Sequence, residues 1–252
     1  PSEPKAVPEK PAGILTALPA DKGEGHSSVE KTVTLSTDLM DVNVSSWGGG
    51  VASVHLKKYN ATMADDSGPV IFNFSRRQAL SFTGIPGMST NNDWIVSAAP
   101  DGQAILVERT TADGLCLKRT ITVTNSYSLQ VMDVLSNSAQ TALALPSYGI
   151  AVGPMFEPSI AGAGVYNIGL DTLPASGGGS PKYWAADLAG LFGAGSSFGC
   201  SSGNVGTMPP SVKHRLSSPV TWVAAKNKFF VQILVPSLST VDCELHAERD
   251  MA

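Results

Sequence analysis

The sequence is poor in charge, and its basic residues are scattered. Asp, Glu, Lys and Arg make up 15% of the 252 residues, and the formal net charge is −4. Binding to duplex nucleic acid depends on a basic stripe that neutralises phosphates. The two short basic runs of this chain, residues 213–215 and 226–228, are typical of solvated strand edges. We therefore expect no nucleic-acid partner.

Cysteine is also scarce, and no Cys-x-x-Cys pair is present. The three cysteines are Cys116, Cys200 and Cys243. The absence of a paired motif argues against a zinc ribbon or a thioredoxin-type redox site. An odd count excludes complete internal pairing. One disulfide could form in an oxidising compartment, but the sequence does not say between which residues, and unpaired thiols are the simpler interpretation.

The sequence lacks an apolar run of the ~20 residues that a helix needs to span a bilayer. Its longest compact run, residues 229–235, has the length of a strand and is interrupted by Gln232. No signal peptide is recognisable. The first residues, "PSEPKAVPEKPAG", read as a linker, so we interpret the chain as a part excised from a larger protein.

What the sequence has is a two-residue alternation of apolar and polar side chains, which predicts β-strands. Residues 1–30 instead mix Pro with Lys, Glu, Ala and Gly, which predicts a flexible linker. The folded domain is predicted over residues 31–252, with its first strand near Val33. The alternation changes parity near Asp38, which predicts a bend. The triple glycine at 48–50 predicts a tight turn, because glycine accepts positive φ.

A meander of three strands is predicted between Ala104 and Leu135. Asp113-Gly114 is a strong hairpin signal, and Asn125-Ser126 marks a second turn. Apolar and polar side chains alternate along all three strands. We therefore expect an antiparallel sheet with one face toward solvent.

The segment from Leu145 to Pro210 is irregular and rich in glycine, which predicts long surface loops. A short helix is predicted in "PKYWAADLAGLF", with Pro181 near its start. The strand pattern resumes at Val220. The run at 229–235 is apolar on both faces, which predicts a central strand covered by a second sheet.

One stretch, Gly195 to Gly199, matches the G-x-S-x-G pattern of hydrolases, with Ser197 at its centre. That pattern works because a buried strand delivers the serine into a sharp turn that opens a helix. Glycine-rich sequence flanks Ser197 on both sides, so neither element is predicted. We interpret the stretch as a loop.

The histidines do not show the spacing of a metal site. They are His26, His55, His214 and His246, and none lies in an H-E-x-x-H pattern. Asp242, Glu244 and His246 would share one face if they lay on a strand. Such runs are usually solvated edges, so we assign no metal ligand.

Sugar-binding proteins place aromatic platforms beside carboxylates. The sequence offers Trp47, Trp94, Trp184 and Trp222, with Glu108 and Glu157 as acids. We interpret Trp222 as a core residue and Trp94 as a surface residue. No carboxylate pair is placed well enough to assign acid and base roles. We therefore assign no catalytic or cofactor-binding residue, and we expect no cofactor.

Several motifs occur in an order typical of one family. They are "VTLSTDLMDVNVSSWGGGVASVHLKKY", "DGLCLKRTITVTNSYSLQVMDVLSN", "GIAVGPMF" and "WVAAKNKFFVQILVP". In the first, the matching residues are Thr37, Asp38, Gly48, Gly49, Leu56, Lys57 and Tyr59. Together the motifs cover most of residues 31–236, and the chain resembles the periplasmic domain of bacterial membrane-protein insertases of the YidC/Oxa1/Alb3 family. Residues 158–210 do not match clearly.

The resemblance implies an all-β fold, a large twisted antiparallel β-sandwich. This supersandwich, also found in galactose mutarotases, has long loops and at most one or two short helices. Residues 1–30 then resemble the tether that follows a transmembrane helix absent from this chain. The resemblance also implies that the domain lies in the periplasm, at the inner membrane.

The resemblance further implies a non-catalytic role in inserting and folding inner-membrane proteins. The domain would dock to Sec translocon components or to nascent membrane proteins through an apolar cleft or an exposed sheet edge. The family's polar groove lies in membrane helices outside this chain, so no site residue carries over.

A second hypothesis is a carbohydrate-binding or aldose-epimerase-like β-sandwich. It requires a His and a carboxylate that converge on a pyranose-sized space, with His55, His214 and Glu157 as candidates.

Overall fold

The chain folds into β-strands, as the alternation predicts. The computed structural model describes residues 16–17, 25–64, 66–124, 126–156, 168–176, 179–185, 211–238 and 240–248. The chain divides into two compact units, Pro1–Ala151 and Val152–Ala252. Every regular element in the described ranges is a strand, which confirms the all-β class. In those ranges no helix is long and apolar enough to cross a bilayer.

The first unit has 12 described strands: β1 (Thr16–Ala17), β2 (Thr32–Ser36), β3 (Met40–Ser45), β4 (Val51–Asn60), β5 (Pro69–Asn73), β6 (Phe82–Thr83), β7 (Ile95–Ala98), β8 (Ala104–Thr110), β9 (Leu115–Val123), β10 (Leu129–Asn137), β11 (Leu143–Ala144) and β12 (Gly149–Ile150). Two antiparallel sheets dominate, in the orders β2-β3-β4-β5 and β10-β9-β8-β7. Strands β6 and β12 form an antiparallel pair, and β1 and β11 form a parallel one.

The second unit has six described strands: β13 (Gly169–Pro174), β14 (Lys182–Ala185), β15 (Ser211–Arg215), β16 (Val220–Lys226), β17 (Val231–Leu234) and β18 (Glu244–Glu248). Four of them form an antiparallel sheet in the order β14-β13-β16-β17, and β15 pairs with β18. The predicted antiparallel sheets are therefore present in both units. The mutarotase-like arrangement of the whole and the domain bounds stay predictions.

The two hairpins that join β2, β3 and β4 follow from local sequence. At the first, the Thr37 N–H donates to the Met40 carbonyl at 2.9 Å, and the Thr37 hydroxyl accepts from the Met40 N–H at 3.1 Å. The bend predicted near Asp38 is thus a complete reversal. At the second, Gly48 and Gly49 have φ of 78° and 64°. A Cβ on Gly49 would lie 2.5 Å from the Trp94 ring, so the turn needs glycine for space as well as for conformation.

The predicted meander is confirmed, with β8 and β9 joined at Asp113-Gly114 and with β10 following β9 after residues 124–128, of which Asn125 lies outside the described residues. Its buried side includes Ile105, Val107, Leu117 and Ile121. Arg119 lies on the same side of β9 and is 2% exposed. Burying a charge is costly unless it is paired, so its partners must offset that cost.

Arg119 pairs with Asp133, which lies directly opposite it on β10. Nε and Nη2 donate to the two carboxylate oxygens at 2.7 and 2.8 Å. Nη1 donates to the Leu80 carbonyl, and the guanidinium carbon lies 4.8 Å from the centre of the Phe82 ring. The pair therefore ties the meander to the segment that contains β6.

Several expectations for the second unit are wrong. Residues 182–185, where the helix was predicted to begin, form β14, and the rest of that predicted helix lies outside the described residues. Strand β13 occupies the middle of its sheet, within a segment predicted as loop. The run at 229–235 is not a covered central strand, because β17 is at the edge of its sheet with Val231 and Ile233 exposed. Trp222 is half-buried rather than fully in the core.

Candidate docking surface

A row of exposed apolar side chains follows β17 and its flanks. Phe229, Val231, Ile233 and Val235 are 52%, 51%, 57% and 69% exposed. Alternate residues of an extended chain point to the same side, so Val231 and Ile233 on β17 form one line, which Phe229 in the preceding turn and Val235 directly after the strand extend. We call these four residues the apolar row.

The strand that carries the apolar row has an open edge. Among the described residues, β17 pairs with β16 on one side, from Val223 opposite Leu234 to Lys226 opposite Val231, and with no strand on the other. The backbone groups on an open edge are a template for pairing with another extended chain. The surface therefore offers apolar side chains and backbone hydrogen-bonding groups together.

The opposite face of β17 is fixed by polar contacts to residues 153–156. The Gln232 amide donates to the Gly153 carbonyl at 2.7 Å and to the Pro154 carbonyl at 3.3 Å. The Asn227 amide donates to the Phe156 carbonyl at 3.2 Å. These bonds hold one face of the strand inward, so the apolar row faces outward.

The turn before β17 positions the first member of the row. The Asn227 side-chain oxygen accepts from the N–H groups of Phe229 and Phe230 at 2.9 and 3.0 Å. This is the local bond by which asparagine stabilises turns. It confirms the turn predicted at Asn227.

The surroundings of the row contain one compensated ion pair and one further cation, the exposed Lys228 ammonium, which lies 5.6 Å from the centre of the Phe229 ring. The Lys226 ammonium lies 2.6 Å from the Asp171 carboxylate and 4.4 Å from the centre of the Tyr183 ring. A Cβ on Gly169 would meet that ring at 2.3 Å, so glycine lets the tyrosine lie flat on β13. A partner beside the row would meet an aromatic ring, a compensated ion pair and that further cation.

Other described sheet edges expose fewer apolar side chains. Strand β5 exposes Ile71, β7 exposes Ile95, and β10 exposes Met132 and Val134. Within the strand itself, β10 thus exposes as many alternating apolar side chains as β17, and the apolar row is longer because Phe229 and Val235 flank β17.

An apolar cleft in the first unit is the other predicted kind of surface. It has a volume of about 180 Å³ and is lined by Leu115, Leu135, Leu143 and Leu145, among others. Pockets for small molecules usually occupy ~300–1,000 Å³. None of the histidines or carboxylates named for a sugar site lines this cleft.

The named histidines make separate contacts. His55 lies 3.3 Å from the Ser53 hydroxyl in the first unit, and the His214 ring contacts the Trp184 ring at 5.0 Å between centres, tilted by 46°, in the second. Glu157 and Ser197 lie outside the described residues. Glu108 pairs with Lys118 across two exposed side chains.

The residues named for a metal site also pair locally. Asp242 lies 3.2 Å from the Arg215 guanidinium, and Glu244 lies 2.5 Å from the His246 ring. The hydrogen bond from His246 lowers the pKa of Glu244. In the described part of the chain, no group of three metal-ligating side chains is present.

Trp94 is buried, at 5% exposed, and not the surface residue that was predicted. Its ring lies against Gly49 and stacks with Phe82, 6.4 Å between ring centres. Trp184 donates its ring N–H to Thr172 at 3.1 Å, and the Lys182 ammonium covers its ring at 3.8 Å. A sugar would have to displace that lysine.

Two of the three cysteines can be described, Cys116 and Cys243, and both are free thiols. A hydrogen bond with the Thr110 hydroxyl is the main cause that lowers the pKa of Cys116. Burial raises the pKa of Cys243 to about 11. Cys200 lies outside the described residues.

The strands and the apolar row define the class: a β-sheet domain with an open apolar edge. A family model described as the YidC periplasmic domain matches residues 32–160, just over half of the chain. The chain belongs to this family. The match begins at the first residue of β2, and it confirms the predicted resemblance and a periplasmic domain of an inner-membrane protein.

Curated relatives agree with the family match. The chain is 30% identical over 172 residues to the membrane protein insertase YidC of Rhizobium johnstonii, covering 58% of this chain and 28% of the relative. It is 28% identical over 173 residues to that of Rhizobium etli, with the same coverage. For Dinoroseobacter shibae the identity is 24% over 164 residues, with 58% and 26% coverage. The chain therefore spans less than a third of the length of these relatives.

Proposed function

We propose that this chain is the non-catalytic periplasmic domain of a membrane-protein insertase, and that it helps to insert and fold inner-membrane proteins by docking. The observation that carries the proposal is the apolar row on the open edge of β17. The relatives named as insertases support the role. The proposed partners are Sec translocon components and nascent membrane proteins, and the proposed attachment to the membrane is through helices outside this chain.

The proposal that the domain binds partners but catalyses no reaction rests on how its acidic and histidine side chains are arranged. Asp171, Asp242 and Glu244 each pair with a neighbouring cation or imidazole. His55 and His214 each contact a different polar or aromatic neighbour. A catalytic site would instead bring an acid and a base to one space.

The energetics of the apolar row favour a transient contact. Fully burying an aliphatic or Phe side chain contributes about 1.5–3 kcal/mol, and these four are already about half-buried. Covering the row would then contribute roughly 4 kcal/mol, near the lower end of the cost of association. Backbone pairing along the edge and a shared membrane, which raises the effective concentration, would supply the rest.

The test uses the full-length protein in its own membrane, with Val231→Lys and Ile233→Lys combined. Lysine on an edge strand opposes pairing, so we expect at least tenfold less Sec component or nascent membrane protein to copurify. Ile71→Lys is the matched control, because Ile71 is similarly exposed on an edge strand of the first unit. Equal recovery from both variants would refute docking through the row.

A further inference from the structure

Residues 26–31, which precede β2, lie along the first unit as a polar strap. Most side chains of this strap are exposed, with Val29 at 84%, whereas the His26 side chain is 25% exposed. Apolar burial therefore contributes little to holding it. Its contacts are the stacking of His26 on Trp47 and hydrogen bonds, four of which converge on one carboxylate.

That carboxylate belongs to Asp93, which precedes β7 in the chain and lies beside the β3–β4 turn, where it bridges to Trp47. It accepts from the Ser27 hydroxyl at 2.7 Å, from the N–H groups of Ser27 and Ser28 at 3.0 and 2.9 Å, and contacts His26 Nδ1 at 3.1 Å. Hydrogen bonds to an ionised acceptor are about twice as strong as neutral ones. Three consecutive strap residues thus depend on a single side chain.

Trp47 holds the same part of the strap from the other side. Its ring N–H donates to the Ser28 carbonyl at 3.0 Å, and its indole stacks on the His26 ring at 4.3 Å between centres, 12° from parallel. Trp47 and Asp93 are themselves bridged as β partners. Arg109 donates to the Asp93 backbone carbonyl. The anchor is therefore built into the fold and does not depend on the strap for its position.

The downstream end of the strap continues the contacts into β2. The Ser45 hydroxyl donates to the Glu30 carboxylate at 2.5 Å. The Lys31 N–H donates to the Ser46 hydroxyl at 2.9 Å, and the Ser46 N–H donates to the Lys31 carbonyl at 2.8 Å. The strap is consequently held at two places: next to β2 by Ser45 and Ser46, and at its upstream end by Asp93.

Ser27, His26 and Asp93 are the residue types of a hydrolytic triad, but they do not form one. In a triad the serine hydroxyl donates to the imidazole, and the carboxylate orients that imidazole. Here the Ser27 hydroxyl donates to the carboxylate itself, and the His26 ring is stacked on Trp47. The arrangement binds a peptide segment and does not activate a nucleophile.

We propose that the strap is a releasable anchor: Asp93 fastens its upstream end, residues 26–28, beside the β3–β4 turn, and loss of this one carboxylate frees those residues while the sheets stay folded. This inference rests on the strap's own contacts and is independent of the proposed docking role.

The test is amide hydrogen exchange of the 252-residue chain with Asp93→Asn. We expect exchange at Ser27 and Ser28 to rise at least tenfold, with β3 and β4 amides unchanged. Asp101→Asn is the control, because the Asp101 carboxylate accepts from the nearby Gln103 N–H in a local turn, and we expect less than a twofold change. Ser27→Pro removes two of these bonds from the strap side, those of the Ser27 N–H and hydroxyl, and should also free Ser28.

Two results would overturn the proposal. One is unchanged exchange at Ser28 in both Asp93→Asn and Ser27→Pro. The other is faster exchange throughout β3 and β4 in either variant, which would mean that the strap cannot be released without unfolding the sheet.

Discussion

The buried Arg119–Asp133 pair gives the sharpest stability prediction. Arg119→Met keeps the unbranched apolar stem of the side chain but removes three donors and the cation's contact with Phe82. Breaking a buried ion pair from one side costs about 3–5 kcal/mol, because the other charge is left unpaired. The Arg119 side chain is 1% exposed and that of Asp133 is 20% exposed, so the remaining carboxylate reaches some solvent. We therefore expect Arg119→Met to lower the free energy of unfolding by about 3 kcal/mol, the lower end of that range.

The measurement is the free energy of unfolding of the first unit in urea, with the hydrogen-exchange rates of the β9 amides as the readout. Lys118→Met is the matched control, since the adjacent Lys118 is 66% exposed and pairs with Glu108 at 3.4 Å on the solvent side. Exposed pairs contribute about 0–1 kcal/mol, so this variant should be nearly neutral. Arg119→Met combined with Asp133→Leu should recover most of the lost stability, because no unpaired charge remains. Equal effects of Arg119→Met and Lys118→Met would refute the reasoning.

Three further outcomes are expected. Gly49→Ala should lower the free energy of unfolding of the first unit in urea by at least about 2 kcal/mol, because the left-handed backbone costs ~1–2 kcal/mol and the new methyl group meets a buried indole. Gly102→Ala is the control: Gly102 also has a left-handed backbone but open space around it, so this variant should show the backbone cost alone. Iodoacetamide at pH ~8 should alkylate Cys116 about 100-fold faster than Cys243, since the thiolate is the nucleophile, and equal rates measured by mass spectrometry would contradict this. The hydrogen bond from Ser27, together with weaker contributions from His26 and Ser28, lowers the pKa of Asp93 below its ordinary value of 3.8. Protection of the strap amides from exchange should therefore persist from neutral pH down to about 4 and be lost only as the pH falls further. Loss of that protection near neutral pH would contradict this prediction.

Local signals were enough to predict the hairpins of the first unit. The glycines at 48–50 and Asp113-Gly114 specify tight turns whatever surrounds them, and the alternation on either side gives the strands. The family motifs added the all-β class and the periplasmic location. These features depend on short stretches of sequence, so they could be predicted without knowing the packing.

Features that depend on distant neighbours were missed. Trp94 is buried because Gly49, far from it in sequence, leaves room for its ring. Arg119 has the same parity as Leu117 and Ile121, a signal that places it inside, but its partner follows only from the register of β9 with β10. The run at 229–235 is apolar on both faces, and composition alone does not distinguish a covered strand from an open edge.

The most direct test of the central claim is site-specific photo-crosslinking from β17 in the full-length protein in cells. A crosslinking side chain would be placed in turn at Val231, Gln232, Ile233 and Leu234. We expect adducts with a Sec component or a nascent membrane protein from positions 231 and 233, and none from 232 and 234. Adducts that ignore this alternation, or no adduct from any of the four, would contradict it.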